Sequence, residues 1–250
     1  MSDMIGFLER VTVAQTIETV WAELCTAMAE HGFDRLMYGF TRFRTAQSFG
    51  NPQDMLILTN HDHRYADRFV KDRMYLDAPM VRWATVNDGA CSWSWIDQHR
   101  DHLTPGELKV VEFNRSMGVT AGYSISFPAQ SNRAKGGLSL AARPDMSQAQ
   151  VDALWAEKGR ELHQMATVAH LKIITLPYSG ARRPLTDRQR SVLEWVGDGK
   201  TTQDIATILG LTPATVEKHL RLAREALDVE TTAQAVLKAS FQNQIFVLRN

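Results

Sequence analysis

Hydrophobic positions recur at helical spacing through residues 11–30, where Val13, Ile17, Val20, Leu24 and Met28 share one face. Two strand-like runs follow, 35–43 and 55–59, rich in β-formers and bounded by Gly, Asn and Pro. Residues 62–73 read as a charged amphipathic helix and 79–87 as a second, shorter one. Cys91 lies in another strand-like run, and Trp93 and Trp95 alternate along it as if sharing a face. Thr104-Pro-Gly-Glu opens a further helix, with Thr104 as N-cap and Pro105 at the first helical position. Residues 122–127 and 137–142 read as strands joined by the polar turn 131–135, and Ser147 caps a long helix running to about 172. Strands in runs with helices at both ends predict an α+β fold, an α-β-α sandwich built on an antiparallel sheet. This first domain is expected over 1–175.

Residues 176–184, Leu-Pro-Tyr-Ser-Gly-Ala-Arg-Arg-Pro, break this pattern and read as a linker. A second, all-α domain of four helices is expected over 185–250. Thr186 and Gln189 form a capping box, and Asp198-Gly199 ends the helix they open. Then come Ala206, small enough for a close helix crossing, Gly210, able to take positive φ at the turn, and Val216, an apolar residue facing back inward. That spacing suits a helix-turn-helix. Thr212 caps the second helix, Pro213 sits at its first position, and Val216, Leu220, Ala223 and Leu227 form its buried stripe. Its outward face would enter a DNA major groove, with Arg221 suited to guanine and Glu217 to a cytosine amino group. Lys200, Thr201, Thr215, Lys218 and His219 are placed for phosphates. On spacing alone, 185–241 also fits a plain helical bundle with solvated charges.

Charge adds little to the argument for DNA. The chain has 250 residues with 28 Lys+Arg against 28 Asp+Glu; residues 176–250 hold 10 against 8, leaving 18 against 20 before them. Binding to DNA must therefore rest on where cations sit. No apolar run approaches the ~20 residues of a membrane span, and the N-terminus carries acidic residues where a signal peptide has basic ones, so a cytoplasmic protein is expected. Cys25 and Cys91 read as reduced thiols. His61-Asp-His63 and His99–His102 lack metal-site spacing, and no nucleophile elbow, P-loop or dinucleotide fingerprint occurs; neither an enzyme nor a bound metal or cofactor is expected.

Together Leu185-Thr186, Val192-Leu193, Gly199-Lys200-Thr201, Ile205-Ala206, Leu209-Gly210, Thr215-Val216, His219-Leu220 and Ala233–Val236 resemble the LuxR-type DNA-binding domain, over residues 184–248. Two positions depart: Gln189 stands where Glu is usual, and Lys218 where an aromatic is common. The region 1–175 resembles, in order and size, the autoinducer-binding domain of the quorum-sensing branch, which binds acyl-homoserine lactones. By that resemblance the ligand-binding positions are His61, Tyr65, Phe69, Ala78, Trp93 and Gly122, with Asp77 adjacent. The family usually has Trp, Tyr and Asp where this chain has Tyr65, Phe69 and Ala78. Phe69 lacks the hydroxyl, and Ala78 lacks the carboxylate that accepts a ligand amide N–H. The resemblance thus implies a homodimeric transcriptional regulator, pairing through 147–172 and 231–241, whose partners are DNA and a small-molecule signal. That signal is a lactone, a different ligand or none; a sensor region that chiefly binds another protein is a further alternative.

Overall fold

The computed structural model describes residues 4–45, 48–129, 131–180 and 182–246. The chain forms two compact units, one of Met1–Gly50 with Met55–Ile174, the other of Asn51–Asp54 with Thr175–Asn250.

The first unit opens with α1 (Met4–Val13) and α2 (Ile17–Glu30). The single helix expected over 11–30 is therefore two. Thr16 takes extended backbone and its hydroxyl accepts the Thr19 N–H, starting α2 afresh, while Val13 is left 70 % exposed. Strands β1 (Phe33–Thr41), β2 (Leu56–Thr59), β3 (Gly89–Ser92), β4 (Gly122–Phe127) and β5 (Lys135–Ala142) form a sheet in the order β2-β1-β5-β4-β3, every neighbour antiparallel. One face packs on the 26-residue α7 (Gln148–Ile173): Tyr38, Phe40 and Phe127 meet His170, and Tyr123 stacks on Trp155 at 4.0 Å.

The opposite face lies under the connecting segments α3 (His63–Ala66), α4 (Pro79–Val86), α5 (Ser94–Gln98) and α6 (Pro105–Ser116). The helix expected over 62–73 is α3 followed by a wider π turn, Asp67–Lys71, stopped by Arg73 at φ 57°. The strand reading of Trp93 and Trp95 also fails. β3 ends at Ser92, Trp93 has helical backbone, and Trp95 lies in α5, so the two indoles do not alternate on a sheet. The Thr104–Glu107 capping box does open α6.

The second unit holds α8 (Asp187–Gly197), α9 (Thr202–Leu209), α10 (Pro213–Leu227) and α11 (Thr232–Phe241). Capping boxes start α8, α9 and α11, each satisfying otherwise orphaned N–H groups. Leu193, Ile205, Ala206, Val216, Leu220, Ala223, Leu227, Ala235 and Ala239 make its core. Gly210 closes α9 at φ 64°, ψ 38°, the left-handed geometry that a tight turn between α9 and α10 requires.

Candidate functional site: an apolar cavity and an exposed helix face

A cavity of about 210 Å³ lies inside the first unit, on the sheet face away from α7. Two near-parallel rings, Tyr65 and Phe69, stand in its wall 5.4 Å apart at an interplanar angle of 13°, and Phe113, outside the lining, stacks on Tyr65 at 5.4 Å and 12°. The lining also includes Met37, Tyr75, Ala78, Trp93 and Val119, so the surroundings are mostly apolar. A few polar groups interrupt them. The Tyr65 hydroxyl donates to Asn114 Oδ1 at 3.0 Å, and the Trp93 indole N–H donates to Ser124 Oγ at 3.0 Å. Burial pushes the Tyr65 phenol pKa up, so this group is a neutral donor at any physiological pH. An apolar chamber with a few placed polar groups suits a neutral small molecule.

In the second unit, the outward face of α10 exposes Glu217, Lys218 and Arg221, with Thr215 and His219 half-buried beside them and Lys200 exposed before α9. Several of these side chains already have partners. Glu217 Oε1 accepts the Thr202 hydroxyl at 2.8 Å, and Arg221 pairs with Glu225 one turn on. The Thr201 hydroxyl is engaged with Asp204 in the α9 capping box, and the Thr215 hydroxyl lies 2.9 Å from that of Thr212. Lys218 extends from the open side of the helix, as a phosphate contact would require.

Two family models match the chain: the autoinducer binding domain over residues 16–173, and bacterial regulatory proteins of the luxR family over 183–239. The chain belongs to the LuxR family of transcriptional regulators. Among its relatives, the transcriptional activator AnoR of Acinetobacter nosocomialis is 27% identical over 217 residues, covering 83% of this chain and 84% of that one. The quorum sensing-dependent regulator RpaR of Rhodopseudomonas palustris is 28% identical over 207 residues, covering 80% and 81%. The crystal structure of Escherichia coli SdiA shares the fold at a TM-score of 0.53 and 19% identity, covering 96% of this chain and 97% of that one. The protein is accordingly a ligand-controlled, DNA-binding regulator of quorum-sensing transcription rather than an enzyme.

Within this LuxR-family regulator, four of the seven ligand positions expected from sequence line the cavity: Tyr65, Phe69, Ala78 and Trp93. Three do not. His61 lies behind the wall, its ring stacked on Tyr65 at 4.4 Å; burial, and secondarily the Arg35 charge, lower its pKa to about 4. Asp77 turns away: its carboxyl carbon lies 3.1 Å from where a Cβ on Gly106 would stand, at the start of α6. The one-residue offset from Ala78 thus puts the carboxylate on the wrong side of the chain. Gly122 is a packing residue, since a Cβ there would come within 2.9 Å of the Trp93 ring and 2.2 Å of the Leu140 carbonyl oxygen.

Sequence reasoning missed Asn114, Ser124, Gly39 and Gly137, all of which line the cavity. Only Gly39 had a local signal, a glycine inside a strand pattern. Among the described residues no group of three or more His, Cys, Asp or Glu is placed to hold a metal ion, and no helix is long and apolar enough to cross a membrane. His99 instead stacks on Trp95 at 4.2 Å, and Cys25 and Cys91 are free and half-buried.

Proposed function

We propose that the effector is a neutral, apolar-tailed small molecule, an acyl-homoserine lactone or a related acyl compound, held in the first-unit cavity, with no resident cofactor. The observation that carries this reading is the apolar chamber bordered by Tyr65, Asn114, Trp93 and Ser124. A ligand that binds only the folded, binding-competent state stabilises it by mass action. The regulator then acts in the cytoplasm as a homodimer through α7 and α11, setting two copies of α10 in successive major grooves. On each α10, Arg221 and Glu217 address base edges, while Lys200, Thr201, Thr215, Lys218 and His219 position the helix on phosphates.

A second reading is favoured by one observation. Ala78 lines the cavity while Asp77 faces Gly106, so no carboxylate reaches the wall at that point. A buried ligand amide N–H lacking an acceptor costs ~1–3 kcal/mol, which favours a ligand without one. Mass spectrometry of the small molecules that co-purify with the expressed chain tests the proposal. An acyl compound released on denaturation supports it. An empty protein that no acyl-homoserine lactone or acyl ester stabilises in a thermal melt overturns it.

A further inference from the structure

Strand-interior glycines cost stability relative to alanine, so one that survives without a backbone reason marks a place where something approaches the chain closely. The sheet of the first unit allows that test position by position. Gly122 has a steric reason, stated above, and so does Gly136, where a Cβ would stand 2.7 Å from the His170 ring. Gly39 and Gly137 have none. Neither has positive φ, a Cβ on Gly39 would meet no atom within 4 Å, and a Cβ on Gly137 would meet only the Ile125 carbonyl oxygen at an ordinary 3.4 Å. Both line the cavity, and they are direct cross-strand partners on β1 and β5.

The register makes this pair a bare window. In one row across four strands stand Ile57, Gly39, Gly137 and Ser126, and the Ser126 hydroxyl turns away to donate to the Ala84 and Asn87 carbonyls. The next residues on the same face, Met37 and Ser139, are themselves partners and lie about 7 Å further along the strands. Neighbouring strands are about 5 Å apart, so two adjacent peptide backbones lie open side by side. The rings of Tyr65, Phe69, Tyr75 and Trp93 line the same cavity. A linear polymethylene chain would cover one strand and leave the other without contact, forfeiting dispersion attraction. A planar ring spans both backbones and offers a face to the aromatic lining.

We propose that the Gly39–Gly137 pair is the specificity-determining floor of the ligand cavity and selects an effector whose acyl group carries a flat aromatic ring over one with a linear chain. The proposal rests on the cavity being the effector site. Its test uses the full chain and four probes, cinnamoyl and octanoyl groups each carried on homoserine lactone and on glycerol, so that head-group and tail preferences separate. In thermal melts and calorimetric titrations both cinnamoyl compounds bind more tightly than their octanoyl counterparts. Gly39→Val weakens the cinnamoyl compounds by about tenfold or more and the octanoyl ones by less than about threefold, because the new side chain occupies the ring's place. The unliganded variant melts no lower than the parent, since valine suits a strand. Gly137→Ala, a smaller change, shifts preference in the same direction. Octanoyl compounds binding as well as or better than cinnamoyl ones, or Gly39→Val leaving cinnamoyl binding intact, overturns the proposal. Failure of all four probes to bind overturns the effector-cavity reading itself, and the floor assignment falls with it.

Discussion

His170 Nδ1 lies 2.8 Å from the hydroxyl of Tyr38, and the imidazole stacks on Phe127 at 4.1 Å with the planes 1° apart. The pair joins α7 to the helix-covered face of the sheet. Burial, reinforced by the Arg42 charge, lowers the pKa of His170 from 6.5 to about 4. Its unfolded form therefore takes up a proton at a higher pH than its folded form. The stability this provides is complete above pH 6.5 and is lost as pH falls toward 4, up to about 3 kcal/mol from His170 alone. His61, lowered to about 4 in the same way, adds to the same window. Urea denaturation at intervals from pH 7.5 to 4 should show that decline. A Tyr38→Phe, His170→Leu variant should flatten part of it; an unchanged pH profile would show that His170 is not the group responsible.

The indole of Trp93 and the hydroxyl of Ser124 form one unit at the cavity wall. Removing the serine leaves a half-buried N–H without its acceptor, so Ser124→Ala should cost ~1–2 kcal/mol of stability. Trp93→Phe removes the donor as well as area. The double variant should lose less than the sum of the two singles, with a coupling of about 0.5–1.5 kcal/mol. Strict additivity in a double-mutant cycle would show that the hydrogen bond contributes nothing measurable.

How much of this was legible in the sequence follows from how local each signal is. The helix-turn-helix was readable because Thr212, Pro213, Gly210 and the Val216–Leu227 stripe lie within one short segment and obey one period. The break between α1 and α2 was not, because Val13 keeps the helical spacing while pointing to solvent. Trp93 was misplaced on a strand because β3 stops one residue before it. The cavity was only half legible. Tyr65, Phe69 and Ala78 sit on one stretch of chain, but Asn114 meets Tyr65 across 49 residues and Gly137 meets Gly39 through strand register. Nothing in the local pattern of either partner announces the other.

Gly210 separates conformational cost from steric cost in the DNA-binding unit. Its φ is 64°, and a Cβ there would meet no atom within 4 Å. Gly210→Ala should therefore destabilise the unit by ~1–2 kcal/mol through left-handed backbone strain alone. Gly210→Asn, which tolerates that region better, should recover part of the loss. Equal melting temperatures for glycine and alanine would mean that the turn relaxes to another geometry.

The exposed face of α10 predicts two kinds of loss on DNA. Lys218 is exposed on α10 and is the phosphate contact of the proposed docking, so Lys218→Ala should weaken binding to all sequences alike. It should also reduce the salt dependence of log K by about 1, the loss of one phosphate contact. Arg221 differs because its guanidinium can read a guanine bidentately once it leaves Glu225, an exposed pairing that costs little to break. Arg221→Ala should relax discrimination at one base pair by ~1–3 kcal/mol and leave the other positions of the site as they were. Glu225→Ala frees the same arginine and should keep the preferred sequence. Binding measured against a randomised operator library at two salt concentrations separates these outcomes. A preference unchanged by Arg221→Ala would move base reading to another residue on this face, with Glu217, anchored to Thr202, the next to test.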